Sequence, residues 1–167
     1  MKRAFTLIEL LVVMALLGIL TIITVSQFKT AIIKGRDAQR KADLSSLSKA
    51  LLYYYADYHK FPVSSANGLI ELESGELEWG EDEFSVTDDG DKTYIYMKKL
   101  PKENAVNEST IFDYCYVSNE TSFQLYGTLE NLGDKNISVF TNDKCGRDTY
   151  NFGYSSPDIT LNEDLSI

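Results

Sequence analysis

Histidine, cysteine and proline are scarce in this chain, and each scarcity removes a class of explanation. His59 is the one histidine in 167 residues, so a multi-histidine metal centre is not available, and no nucleophile–base pair is evident in the sequence. The two cysteines, Cys115 and Cys145, stand 30 residues apart and form no CxxC pair. With a lone histidine, they argue against a Cys/His zinc site. No proline precedes Pro62, and only Gly18 and Gly35 interrupt the good helix formers before it. Charge is missing as well: residues 5–25 hold a single ionisable side chain, Glu9.

That apolar run is long enough to cross a hydrocarbon core of about 30 Å as a helix. No small-residue cleavage site follows it, so it is expected to stay attached to the mature chain. The chain as a whole has a mean hydropathy of −0.20, so everything beyond the run must be polar. The length suits one domain plus an accessory segment, not two full cores. Net charge is −9, unevenly spread. Residues 29–49 hold six basic side chains against two acidic, and residues 50–167 hold 8 basic against 22 acidic. A body this acidic repels nucleic acid and anionic lipid, so no direct nucleic-acid contact is expected. Lys2 and Arg3 precede the span, whereas Lys29, Lys34, Arg36, Arg40 and Lys41 follow it. Counting positive charges puts the C-terminal side in the cytoplasm. The cysteines argue the opposite if they form a disulfide; two unrelated buried thiols are the alternative.

Beyond the span, Leu44, Leu47, Leu51, Tyr54 and Tyr58 recur at spacings of three and four, an apolar stripe on one helix face. The opposite face is expected to carry Arg40, Lys41, Ser45, Ser48 and Lys49. One helix over about residues 5–58 follows, ending before Pro62. Residues 64–91 are acidic and punctuated by Gly68, Gly75, Gly80 and Gly90, with LIEL read as either a short helix or a hairpin. Alternating segments at Thr93–Met97, 112–117 and 122–129 read as strands, the last two at hairpin spacing. The tail from Asn131 reads as loops. The fold class is therefore α+β: a long N-terminal helix whose C-terminal half packs on a small antiparallel sheet.

The segment KRAFTLIELLVVMALLGIL resembles the class III signal of type IV pilins and type II secretion pseudopilins. In that family a short basic leader is cut before a phenylalanine, and glutamate is the fifth residue of the mature chain. Here the cut falls between Ala4 and Phe5, and Glu9 is the fifth residue after it. ADLSSLSKALLYYYADYHKFP, YIYMKKLPKE, YCYVS and FQLYGTLEN extend the likeness more loosely toward major pseudopilins. The resemblance implies a pilin-like fold with a leader over 1–4, a membrane and filament-core helix over 5–28, an amphipathic continuation over 29–60 and a head over 61–167. It implies cleavage after Ala4 by a membrane-bound prepilin peptidase and methylation of the Phe5 amine. It also implies a single-pass protein of the cytoplasmic membrane, N-terminus inside and head outside, which later enters a surface filament. That topology favours a Cys115–Cys145 disulfide. The implied partners are other copies of the chain, an inner-membrane platform protein and an assembly ATPase. Two positions depart from the family pattern: Ala4 stands where glycine is usual, and Ser26 where many members have proline. With no proline there, the helix is expected to be more continuous, loosening at most near Gly18 and residues 21–24.

Glu9 has two readings. It sits near the helix N-terminus, where the macrodipole favours an anion; by the resemblance, it pairs with the Phe5 amine of a neighbouring subunit. The family reading also has neighbouring acidic groups compensating the basic residues past the span. Asp88, Asp89 and Asp91 are candidate calcium ligands in the acidic loop, without EF-hand spacing; major pseudopilins hold calcium in the head, and no other cofactor is expected. Asn107, Asn119 and Asn136 head N-glycosylation tripeptides, which are frequent by chance. The expected role is a non-enzymatic filament subunit. The alternative is a monomeric, membrane-tethered adhesin or binding domain.

Overall fold

Helix α1 runs without a break from Leu7 to Tyr58, 52 residues, through Gly18, residues 21–24 and Gly35. The computed structural model describes residues 5–102, 114–140, 145, 150–161, 163 and 165, with the backbone alone at 23–26. It divides into two compact units, Met1–Arg36 and Asp37–Ile167, and α1 contributes to both. The helix does not loosen at Gly18, because an isolated glycine costs about 1 kcal/mol of helix propensity and leaves the backbone hydrogen bonds intact. Thr21 donates its hydroxyl to the Leu17 carbonyl at 2.8 Å, so a polar side chain in an apolar stretch is satisfied within its own helix.

In the second unit, the spacing of three and four does what it predicts. Leu44, Leu47 and Leu51 are fully buried, Tyr54 nearly so, and Tyr58 packs half-buried beside them. The helix stops at His59, which takes the left-handed conformation (φ 57°) while its N–H closes on the Tyr55 carbonyl at 2.8 Å. Phe61 then pairs its N–H with the Glu120 carbonyl, turning the chain into the head.

Among the described residues, three small antiparallel sheets make the head, where one was expected. The first is a meander of β1 (Val63–Ser64), β2 (Ile70–Leu72) and β3 (Gly75–Leu77), which resolves LIEL as half of a hairpin. The second is the hairpin of β4 (Phe84–Thr87) and β5 (Thr93–Met97), with a register shift between Phe84 and Ser85. The third joins β6 (Cys115–Ser118), β7 (Phe123–Gly127) and β8 (Phe152–Ser155), in that order. Strand β5 has the predicted bounds. Residues 112 and 113 of the predicted second strand lie outside the described residues. Strand β8 lies in the tail that reads as loop.

The third sheet is buried on both faces, which its alternation explains. Tyr116, Phe123 and Leu125 face the helix stripe, while Cys115, Val117 and Tyr126 enter a second cluster with Phe140, Tyr150 and Leu165. Cys115 and Cys145 are joined as a disulfide with Cα atoms 5.9 Å apart. Gly68 passes directly beneath it in the left-handed region (φ 75°), where a Cβ would collide with Cys145 Sγ.

Arg40 is not on a solvent face. It is 2 % exposed, with Nη1 2.8 Å from Asp37 and 2.7 Å from Glu130. Asp37, equally buried, also accepts the backbone N–H groups of Glu130 and Asn131 at 2.9 and 2.8 Å. Next to it, Lys41 reaches Asp134 at 2.6 Å and lies over the Phe152 ring. The two basic residues are thus compensated inside their own head, by a loop that sequence periodicity does not bring to the helix. The acidic neighbours expected from other subunits are unnecessary for these two.

Candidate functional site

The first turn of α1 is built from Phe5, Thr6 and Glu9. Thr6 sits at the N-cap, where the leading N–H groups of a helix lack intrahelical acceptors. Glu9, three residues on, is at the position from which a side chain can reach back. Its Oε2 accepts from the Thr6 N–H at 2.8 Å and the Thr6 hydroxyl at 2.7 Å, while Glu9 N–H donates to Thr6 Oγ1 at 3.3 Å. This reciprocal capping box supports the carboxylate without any second molecule. Oε2 takes both bonds; among the described residues, Oε1 has no hydrogen-bond partner. Thr6 is a functional neighbour that reading Glu9 in isolation misses, although Thr-x-x-Glu is legible in the sequence.

Around this turn lies unburied apolar surface. Phe5 is 79 % exposed, Leu7 82 % and Ile8 70 %; exposed apolar side chains continue to Ile22 and recur at Phe28 and Ile32. The same stretch is long and apolar enough to cross a membrane. A surface of this size on a soluble monomer marks an interface or a membrane contact.

Residues 1–25 match the family model described as the prokaryotic N-terminal methylation motif. The match is consistent with the N-terminal segment of type IV pilin-like proteins. No curated protein and no solved structure matches the chain. The pilin-like layout also holds beyond the motif, because one long helix precedes small antiparallel sheets. Motif and apolar helix together fit a membrane-anchored pilin.

The remaining candidate positions fall as follows. Ala4, on one side of the expected cut, lies outside the described residues, as do Asn107 and the side chain of Ser26. Asp88, Asp89 and Asp91 occupy the tight connection between β4 and β5. There Asp88 Oδ1 accepts the N–H groups of Gly90 and Lys92 at 2.9 and 3.0 Å, and Asp91 adopts φ 59°. Asp88 therefore works as a turn-forming carboxylate. Among the described residues, no three His, Cys, Asp or Glu side chains are gathered as metal ligands. Asn119 Oδ1 accepts from Thr121 and Ser122, shaping the β6–β7 turn. Asn136 is exposed next to a turn that Asp134 organises.

Proposed function

We propose that the chain is a structural subunit, a prepilin, of a type IV pilus or a type II secretion pseudopilus. The observation that carries this is the first turn: a lone carboxylate, capped by Thr6 through one oxygen, at the head of an apolar stretch exposed over residues 5–22, inside the methylation motif. In this reading prepilin peptidase hydrolyses the Ala4–Phe5 bond and the freed Phe5 amine is methylated. A methylated amine remains a cation. The chain waits in the cytoplasmic membrane with its N-terminus inside and its head outside, and then polymerises with other copies through the apolar helix.

Placing a carboxylate in the hydrocarbon region costs about 2.5–3.5 kcal/mol. The Thr6 cap offsets part of that cost, since such caps contribute about 0.5–2 kcal/mol. Glu9 Oε1 remains to accept from the Phe5 amine of an adjoining subunit. In a dry helical bundle that ion pair is far stronger than in water, and a misregistered subunit leaves both charges uncompensated. Glu9 then serves as a register mark for subunit entry. The motif points to a structural role, with the platform protein and assembly ATPase as its machinery.

N-terminal mass spectrometry of the native protein tests this. The expected result is a chain beginning at N-methylated Phe5. An intact Met1 in native membranes overturns the filament reading and favours a monomeric tether.

A further inference from the structure

A cleft of about 700 Å³ opens in the head where the last turn of α1 meets β1, β2 and the β4–β5 hairpin. Its floor is aromatic: Tyr54 and Tyr58 stack with ring centroids 4.6 Å apart, and Phe61 lies beside them. Its rim carries Glu71, Glu73, Asp88, Asp89 and Glu120 against a single cation, Lys60, 3.7 Å from Glu120. Asp88 is engaged by its own turn. Glu71, Glu73 and Asp89 make no ion pair among the described residues. The Tyr54 hydroxyl registers the field: its pKa is raised, first by burial, then by Tyr58, Glu73 and Glu120. Aromatic faces beneath surplus carboxylates favour a cationic side chain, through the ring quadrupole and through ion pairing.

We propose that this cleft receives the basic helical stretch around Lys29 and Lys34 of a second copy of the chain. The proposal rests on the filament reading and adds a second contact to it. The charges are complementary: residues 50–167 carry 22 acidic side chains against 8 basic, while cations concentrate in residues 29–49. Within that stretch Arg40 and Lys41 are committed to Asp37, Glu130 and Asp134; of the exposed lysines Lys29, Lys34 and Lys49, the first two stand five residues apart on the exposed apolar part of α1. The contact also joins two different surfaces of one chain. Such a heterologous contact does not close on itself as a two-fold dimer does, and it propagates into a filament.

Cysteine cross-linking in native filaments tests the contact directly. Oxidising filaments of the double variant Glu73→Cys, Lys34→Cys is expected to give a ladder of dimers and higher oligomers on a non-reducing gel, absent from either single variant. Reversing the rim with Glu73→Lys and Asp89→Lys, both exposed, is expected to lower filament yield about fivefold, the size of a surface coupling near 1 kcal/mol. An unchanged melting temperature of the detergent-solubilised chain shows that the fold survives. Adding Lys29→Glu and Lys34→Glu to the reversed chain restores the yield. Filaments of the double cysteine variant that give no ladder, with full yield from the reversed rim, overturn the cleft contact and leave the filament reading standing. An unaltered chain that forms no filament sinks both. Binding of oligolysine to the solubilised chain, with no ladder in filaments, also overturns the contact, in favour of a foreign cationic partner.

Discussion

Glu9 and Asp37 are carboxylates on the same helix, and their surroundings differ in where the partners come from. Asp37 is 2 % exposed and accepts from Arg40, Glu130 and Asn131, all of its own head. Glu9 accepts only from Thr6, its own N-cap, and keeps one oxygen without a partner among the described residues. The apolar residues around them divide in the same way. Leu44, Leu47 and Leu51 are buried, whereas Leu7, Ile8 and Leu11 stay more than half exposed. One part of α1 is complete within the chain; the other requires lipid or another copy.

The difference is tested most severely at Glu9. Glu9→Leu is expected to leave insertion and processing intact and to lower filament yield by more than about 100-fold, since removing one member of a buried ion pair costs about 3–5 kcal/mol. Shearing and immunoblotting give the yield, and wild-type filaments from this variant would refute the register role. Asp37→Ala should show the opposite pattern, destabilising the solubilised head by about 3 kcal/mol, because it takes one of two carboxylates from the buried Arg40 and leaves the Glu130 and Asn131 N–H groups without their acceptor. Thermal unfolding by near-UV circular dichroism reads this.

Leu47→Ala is expected to cost the head about 2–5 kcal/mol as a cavity mutation. Leu17→Ala, on the exposed part, should leave the same melting transition unchanged. A comparable loss from both would erase the contrast. Thr6→Ala removes the cap and should reduce the stability of the first turn by about 1 kcal/mol, read as faster amide exchange at residues 6–10.

The smallest effect is a pH dependence. The Lys41 ammonium and the Asn136 N–H hold the Asp134 carboxyl below its ordinary 3.8. Its folded pKa therefore lies below its unfolded one. The stabilising contribution is complete above the unfolded value and disappears as pH falls through the folded value. Asp134→Asn should flatten the acid limb of the stability curve below about pH 4, because it removes a contribution that is present at pH 7 and already absent at low pH.

Sequence patterning anticipated what depends on local period. Residues 44, 47, 51 and 54 announced a buried stripe because helical neighbours recur at three and four. Strand β5 announced itself through strict alternation. The sheet of β6, β7 and β8 was harder to see whole, because Phe152–Ser155 pairs with β7 from 25 residues away, and no local signal carries a long-range pairing. The small strands of residues 63–77 are two or three residues long, too short to show a period.

By itself, the sequence determined that an exposed apolar helix opens the chain, that Thr6 and Glu9 stand at capping distance, and that charge of opposite sign occupies adjoining regions. These are properties of neighbours along one chain, decided by spacing and side-chain chemistry. Only the tertiary structure decided that Arg40 is interior, that Glu130 and Asp134 pair with Arg40 and Lys41, and that five carboxylates line one cleft with Tyr54 and Tyr58. Those arrangements bring together groups tens of residues apart, and the loss of chain entropy needed to join them is offset only by the packed core on which they sit.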